Sequence, residues 1–372
     1  GVYLRAECKG GSEVKLFTIG PVSMTEEVRA AREGADSVPY FRTQEFSEMM
    51  LESDAYLRAF AHAEEGTRTV YLTASGTAAM EAVVLNAFTK EDRLLIVNGG
   101  TFGERFVRIA EIHGIPHDVV VLPYGETLCL EYFVPFTKKY TALLVNIDET
   151  STGQLYDMGM LSALCREKGM YLVVDAISSF LCDPLDMAKA GVDALITSSQ
   201  KGACISPGLS MVLLRERFLR ERVETSSYAS LYFDFKSYLK DFTRGQTPFT
   251  PAVGVCVELH AALHAIAQKG LDAHLARIAA VAQDFRARIR TLPVSIPSFP
   301  LSNALTPVLF DRPIAYRVFE VLKDTYDVMV NPTGGALHDR AIRVAHIGNT
   351  TEEDNAMLAS CLEKAICDVE GR

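Results

Sequence analysis

The sequence has no excess of positive charge. Its 372 residues carry 37 Lys and Arg against 47 Asp and Glu, a formal net charge of −10. A bulk basic field for nucleic acid is excluded, although a local basic pocket for a small anion is not. Paired cysteines are also missing. Cys8, Cys129, Cys165, Cys182, Cys204, Cys256, Cys361 and Cys367 are scattered, with no CxxC pair and no zinc-like spacing. Reduced thiols in a cytoplasmic protein fit this better than a disulfide framework. There is no apolar run of transmembrane length and no signal-peptide pattern, so no membrane partner is expected. Internal repeats and low-complexity segments are absent too. What remains is a globular composition, 48% hydrophobic and 23% charged, with length enough for two domains.

Short apolar runs alternate with helical patterns from Arg68 to Leu214. Strands are predicted at 69–75, 93–100, 117–123, 141–147, 170–176 and 194–199, with helices at 77–88, 102–114, 161–169 and near 187–190. Near-continuous Val, Ile and Leu strands between helices predict an α/β fold: a mostly parallel sheet covered on both faces. Ser210–Leu214 reads as a further strand of either direction. After about Pro251 the pattern changes. One long helical stretch runs from Val253 through Leu292, and a smaller α+β region follows. The expected division is a leader or linker at 1–15, a large domain at 16–252, whose N-terminal segment can pack on the small domain, and a small domain at 253–372.

Open α/β sheets bind ligands at the carboxyl ends of their strands, so the residues there are the candidates. Ser75-Gly76-Thr77 opens a helix, where N–H groups and a hydroxyl suit a phosphate or simply cap the turn. Phe102, in Gly100-Thr101-Phe102-Gly103, offers a stacking face or one packed ring. Thr150, Ser151 and Thr152 can meet a polar ligand edge or stabilise a turn. Asp175 ends a buried strand, where a carboxylate needs a partner unless it only caps the turn. Lys201, in Ser199-Gln200-Lys201, brings a cation between two apolar runs, as a loop residue or as a reactive amine. Together these are what pyridoxal 5′-phosphate requires: donors for its phosphate, a face for its ring, an acid for its pyridinium nitrogen and a lysine for its aldehyde.

The sequence resembles the class V aminotransferases, fold-type I pyridoxal-phosphate enzymes with a mostly parallel central sheet and a smaller C-terminal α+β domain. The resemblance runs from Leu16-Phe17-Thr18-Ile19-Gly20-Pro21-Val22-Ser23 to Arg343-Val344-Ala345-His346-Ile347-Gly348, through Ser75-Gly76-Thr77, Glu149–Gly153, Asp175–Ser179 and Ser199-Gln200-Lys201. It implies that Lys201 is the Schiff-base lysine and Asp175 the pyridinium partner. Ser75, Gly76, Thr77 and Gln200 are then phosphate ligands, Phe102 the stacking aromatic where some relatives have Trp, and Thr150 the hydroxyl near the ring's O3′ edge. Arg343 is implied to fix the substrate carboxylate by bidentate pairing; by pattern alone it is a surface arginine on an alternating strand. Ser23 is implied to line the substrate site. The resemblance also implies a homodimer with active sites at the subunit interface, in which Thr247, and less securely Arg244, act on the partner's cofactor.

The activity implied is a ping-pong transfer from a small-molecule amino donor to a 2-oxo acid. Val38–Phe46, Asn331-Pro332-Thr333-Gly334-Gly335 and His346-Ile347-Gly348-Asn349 resemble the 2-aminoethylphosphonate–pyruvate enzymes more than the glyoxylate ones. The expected products are phosphonoacetaldehyde and alanine, or the reverse. The alternative is an alanine– or serine–glyoxylate aminotransferase. Arg42 is a further candidate anion contact, or a partner of Glu45. A cysteine desulfurase fits less well, since its lysine usually follows a His where this chain has Gln200. A binding module without catalysis is disfavoured by the intact Lys201 and Asp175.

Overall fold

The structure, a computed structural model, describes residues 14–34, 40–227 and 230–371. Most of the expected leader, Cys8, and Val38-Pro39 of the phosphonate-type segment lie outside the described residues. In chain order the first elements are β1 (Lys15–Phe17), α1 (Glu26–Glu33), α2 (Gln44–Phe60), β2 (Arg68–Leu72), α3 (Gly76–Ala87), β3 (Leu94–Asn98), α4 (Thr101–Ile112) and β4 (His117–Val121). Next come β5 (Ala142–Asn146), β6 (Asp148–Glu149), β7 (Gln154–Leu155), α5 (Met158–Lys168), β8 (Tyr171–Asp175), α6 (Met187–Ala190), β9 (Ala194–Ser198), β10 (Ser210–Leu214), α7 (Glu216–Phe218) and α8 (Phe235–Phe242). The last part holds α9 (Val253–Lys269), α10 (Leu271–Arg288), β11 (Leu305–Leu309), α11 (Ala315–Thr325), β12 (Val328–Pro332), β13 (Ala341–Ala345) and α12 (Glu352–Glu370).

The main sheet has seven strands in the order β2-β10-β9-β8-β5-β3-β4. β10 runs antiparallel to both neighbours, which settles the direction the sequence left open. The other pairings are parallel. Side chains alternate across a strand, and here both sets are buried. Leu95, Val97, Leu143, Val145, Leu172, Val174 and Leu195 enter one core, while Leu94, Ile96, Ala142, Leu144, Val173 and Ile196 enter the other. That two-sided burial is why these strands read as unbroken apolar runs. It also places the carboxyl ends of β2, β3, β5, β8 and β9 along one edge.

A second sheet, β1-β12-β13-β11, packs against α10, α11 and α12 around Phe17, Phe285, Val318, Leu322, Leu358 and Leu362. Two expected boundaries differ from this arrangement. Lys15, placed with the leader, begins β1 and pairs with Val328. The helix that follows residue 252, α9, sends Cys256, Leu259, Leu263 and Ile266 into the large core, together with Phe46, Met50 and Leu57 of α2. The long helix expected over 253–292 breaks at Gly270, whose φ of +87° lies in the region that favours glycine. The seven described cysteines are free thiols. Among the described residues no helix is long and apolar enough to cross a membrane.

Candidate active site

The two helices that start at the sheet edge differ at their N-termini. An α-helix leaves its first N–H groups unsatisfied. At α4 they are taken from within the chain: buried Glu149 accepts from Phe102 N–H (3.3 Å) and Gly103 N–H (2.9 Å). The same carboxylate accepts from Asn146 Nδ2 (2.8 Å) and Ser151 N–H (3.2 Å), and from the Ser151 hydroxyl. At α3 the cap residue Ser75 is exposed and makes no side-chain cap bond. The N–H groups of Gly76 and Thr77 find no acceptor among the described residues. Gly76 is needed there, since a Cβ would stand 2.4 Å from Ile177 Cδ1. Arg105, from α4, donates to Thr77 Oγ1 (2.9 Å) and lies over the Phe102 ring, 4.8 Å from its centroid. Open donors, a hydroxyl and a guanidinium thus meet at one helix N-terminus, a site suited to a phosphate.

Asp175 ends β8, buried, with Oδ1 accepting from Ile177 N–H (2.8 Å). Burial pushes its carboxyl up to about 6, against that hydrogen bond and the nearby Arg105 and Lys201. Lys201 follows β9. Burial pulls its amine down to about 8, while Asp148 and Asp175 oppose the shift and Arg343 adds to it. No hydrogen bond or ion pair among the described residues holds its Nζ. Gly20 packs directly on this side chain, since a Cβ there would stand 2.9 Å from Lys201 Cδ.

The opposite wall comes from the second sheet. Arg343, in β13, donates to the Thr150 carbonyl (2.9 Å) and the Pro332 carbonyl (3.0 Å). Its Nε is buried without a partner. Burial lowers this guanidinium's pKa, and Glu149 and Asp148 raise it. The Thr150 hydroxyl donates to Ser178 Oγ (2.7 Å).

The structure therefore gathers Gly76, Thr77, Phe102, Thr150, Asp175, Lys201 and Arg343 around the carboxyl edge of the main sheet. Gln200 lies at the same edge, half-buried. Ser23 is anchored through its backbone, its carbonyl accepting from Asn349 N–H (3.1 Å). Thr247 stands apart. Its hydroxyl donates to the Phe249 carbonyl (2.6 Å), and Arg244 pairs with Asp241. Arg42 forms no ion pair with Glu45. It donates to Gln246 Oε1 (3.0 Å) and to the Thr247 and Pro248 carbonyls, bracing that segment. The sequence reading assigned no part to Glu149, Arg105, Gly20 or Asp148. Arg105 had a local signal, one helical turn after Phe102. The others act across long sequence separations.

An amine, a carboxylate and an anion cradle at the carboxyl edge of a covered parallel sheet define a fold-type I pyridoxal-phosphate transferase, and the residues present fit that cofactor. The chain belongs to the class V aminotransferases: the model of that family matches residues 25–331. It is an aminotransferase, and its cofactor is pyridoxal 5′-phosphate. The chain is 28% identical over 338 residues to the soluble hydrogenase 42 kDa subunit of Anabaena cylindrica, covering 88% of this chain and 87% of that one. It is 28% identical over 276 residues to the 2-aminoethylphosphonate–pyruvate transaminase of Vibrio vulnificus, covering 70% and 71%. The solved alanine–glyoxylate aminotransferase of Nostoc sp. superposes with a TM-score of 0.88 at 28% identity, covering 95% of this chain and 96% of that one.

Proposed function

We propose that this aminotransferase moves the amino group of 2-aminoethylphosphonate to pyruvate, giving phosphonoacetaldehyde and alanine, or runs the reverse. The observation that carries an anionic substrate is Arg343. It is held on two backbone carbonyls, its Nε is orphaned, and no ion pair with a described carboxylate neutralises it. A guanidinium so placed takes a phosphonate in one half-reaction and a carboxylate in the other, both by planar, charge-assisted pairing. The sequence likeness of Val38–Phe46, Asn331–Gly335 and His346–Asn349 to the phosphonate enzymes supports the donor. The extended likeness to the Nostoc enzyme supports alanine or serine with glyoxylate as the second reading.

When bound, pyridoxal phosphate supplies an aldehyde for amines and a ring that withdraws electrons. Lys201 would hold that aldehyde and, once displaced, move a proton from the donor carbon through Nζ. Asp175 would hold the proton on the ring nitrogen. Gly76, Thr77, Ser75 and Gln200 would bind the phosphate, Phe102 would cover the ring, and Thr150 would meet its hydroxyl edge. Ser23 would line the substrate side. We read the active form as a cytoplasmic homodimer in which Thr247 and Arg244 complete the partner's phosphate site, as the resemblance implies; within their own chain the Thr247 hydroxyl bonds to the Phe249 carbonyl and Arg244 to Asp241.

The test is a donor and acceptor panel on the holoenzyme, with alanine measured as product from 2-aminoethylphosphonate and pyruvate. Turnover of that pair, with KM for both raised at least ~10-fold by Arg343→Ala, is the expected result. No turnover of it, with rapid turnover of serine or alanine on glyoxylate, overturns the substrate assignment.

A further inference from the structure

Arg105 lies in α4, one helical turn after Phe102, and is half-buried. Its Nη1 donates to Thr77 Oγ1 at 2.9 Å, reaching from α4 to the first turn of α3. The guanidinium rests over the Phe102 ring, 4.8 Å from the centroid, and attraction to the ring face holds a cation there. No described carboxylate forms an ion pair with it. Arg108, one turn of loose spacing further along α4, is by contrast paired with Glu111 at 2.6 Å.

The bond to Thr77 has a direction. A guanidinium can only donate, whereas a hydroxyl carries one donor and two acceptor sites. Arg105 therefore occupies an acceptor site of Thr77 Oγ1 and leaves the O–H free to donate. No acceptor among the described residues takes that hydrogen. The N–H groups of Gly76 and Thr77 are open at the same turn. A phosphate monoester is close to doubly charged at neutral pH, yet Ser75, Gly76, Thr77 and Gln200 are all neutral. Lys201 is read as the amine for the aldehyde, and Arg244, read as the partner's contribution, pairs with Asp241 in its own chain. Arg105 is the guanidinium that this chain itself bonds to the α3 N-terminus.

We infer that Arg105 is a positioning residue for the cofactor phosphate: stacked on Phe102, its guanidinium turns the Thr77 hydroxyl into an outward donor and supplies the positive charge that the neutral ligands lack. No covalent bond changes in this role. The site then holds two guanidinia without a paired carboxylate, Arg105 at the phosphate end and Arg343 on the opposite wall. The inference rests on the reading of the α3 N-terminus as the phosphate site.

The test titrates the apoprotein with pyridoxal phosphate and, separately, with pyridoxal, which lacks the phosphate. Arg105→Met should raise the Kd for pyridoxal phosphate at least ~10-fold, as expected for one lost charge-assisted contact, with that for pyridoxal changed less than about threefold. Arg105→Lys, which keeps the charge but not the planar fork, should recover part of the preference for the phosphorylated ligand. Thr77→Val should also weaken pyridoxal phosphate selectively, and in combination with Arg105→Met the loss should be smaller than the product of the two single losses. In the unmutated apoprotein, inorganic phosphate and pyridoxal phosphate should slow the modification of Arg105 by phenylglyoxal, followed by peptide mass spectrometry, more than pyridoxal does. Equal losses for both ligands, an unchanged Kd for pyridoxal phosphate, or no protection by phosphate overturns the proposal. If Arg105→Met does not fold, the lysine variant and the protection of the unmutated chain decide in the same way. Thr77→Val without effect on pyridoxal phosphate would instead remove the phosphate reading of α3. A loss in Thr77→Val with none in Arg105→Met would remove only the role of Arg105.

Discussion

Glu149 carries the sharpest stability prediction, because its partners come from three separate pieces of chain. Oε2 accepts from the buried Gly103 N–H and Asn146 amide, at 2.9 and 2.8 Å. Oε1 accepts from Phe102 N–H and Ser151 N–H, at 3.3 and 3.2 Å. Glu149→Ala orphans the two buried donors at ~1–3 kcal/mol each. It also removes a negative charge from the α4 N-terminus, worth ~0.3–2 kcal/mol. The apoprotein should therefore lose ~2–8 kcal/mol. Glu149→Gln keeps the volume but only one acceptor, so its amide nitrogen must face one pair of donors, for a loss of ~1–3 kcal/mol. Guanidinium unfolding of the apoprotein measures both, with no contribution from cofactor binding. A Glu149→Ala variant within about 1 kcal/mol of the parent, or a Glu149→Gln variant indistinguishable from it, would refute the argument that both oxygens are required acceptors.

Two further outcomes follow from the cofactor side. Gly76→Ala should drive Ile177 aside, because the new Cβ lies 2.4 Å from Ile177 Cδ1. It should cost ~1–3 kcal/mol of stability and weaken pyridoxal-phosphate binding, read by titrating the apoprotein with cofactor. Unchanged affinity would deny the α3 N-terminus its role. Asp175→Asn should lower kcat ~10²-fold or more while the apoprotein gains stability relative to the parent. The sign follows from the raised pKa of Asp175, about 6 in the folded chain. A folded carboxyl raised above its unfolded value resists ionisation, so the parent loses stability as pH climbs from about 4 to 6 and the variant does not. Unfolding curves at pH 4.5 and 7 compare the two. An advantage of the variant that shrinks at the higher pH would contradict the burial assigned to Asp175.

The sequence by itself determined the main sheet, because burial on both faces leaves a signature inside each strand. Leu94-Leu95-Ile96-Val97 feeds two cores alternately and therefore shows no polar position. It also determined the order of strand-end motifs, since the glycine, the hydroxyls, the carboxylate and the lysine each follow a strand within a few residues. The helices α1, α2 and α8 were less legible. α2 buries only a stripe, Phe46, Met50, Leu57 and Phe60, against a chain segment about 200 residues later. The break at Gly270 was likewise hidden, because apolar positions continue on both sides of it. Tertiary structure alone decided which strand-end groups are spent on the fold and which are left open. Glu149 fills the α4 N-terminus from 46 residues away, while the α3 N-terminus stays free. Arg343 crosses 193 residues to reach the Thr150 carbonyl. Gly20 meets Lys201. Periodicity and turn chemistry are local and can be read along the chain. Hydrogen-bond satisfaction is a property of the neighbours in space, and it exists only once the two sheets have come together.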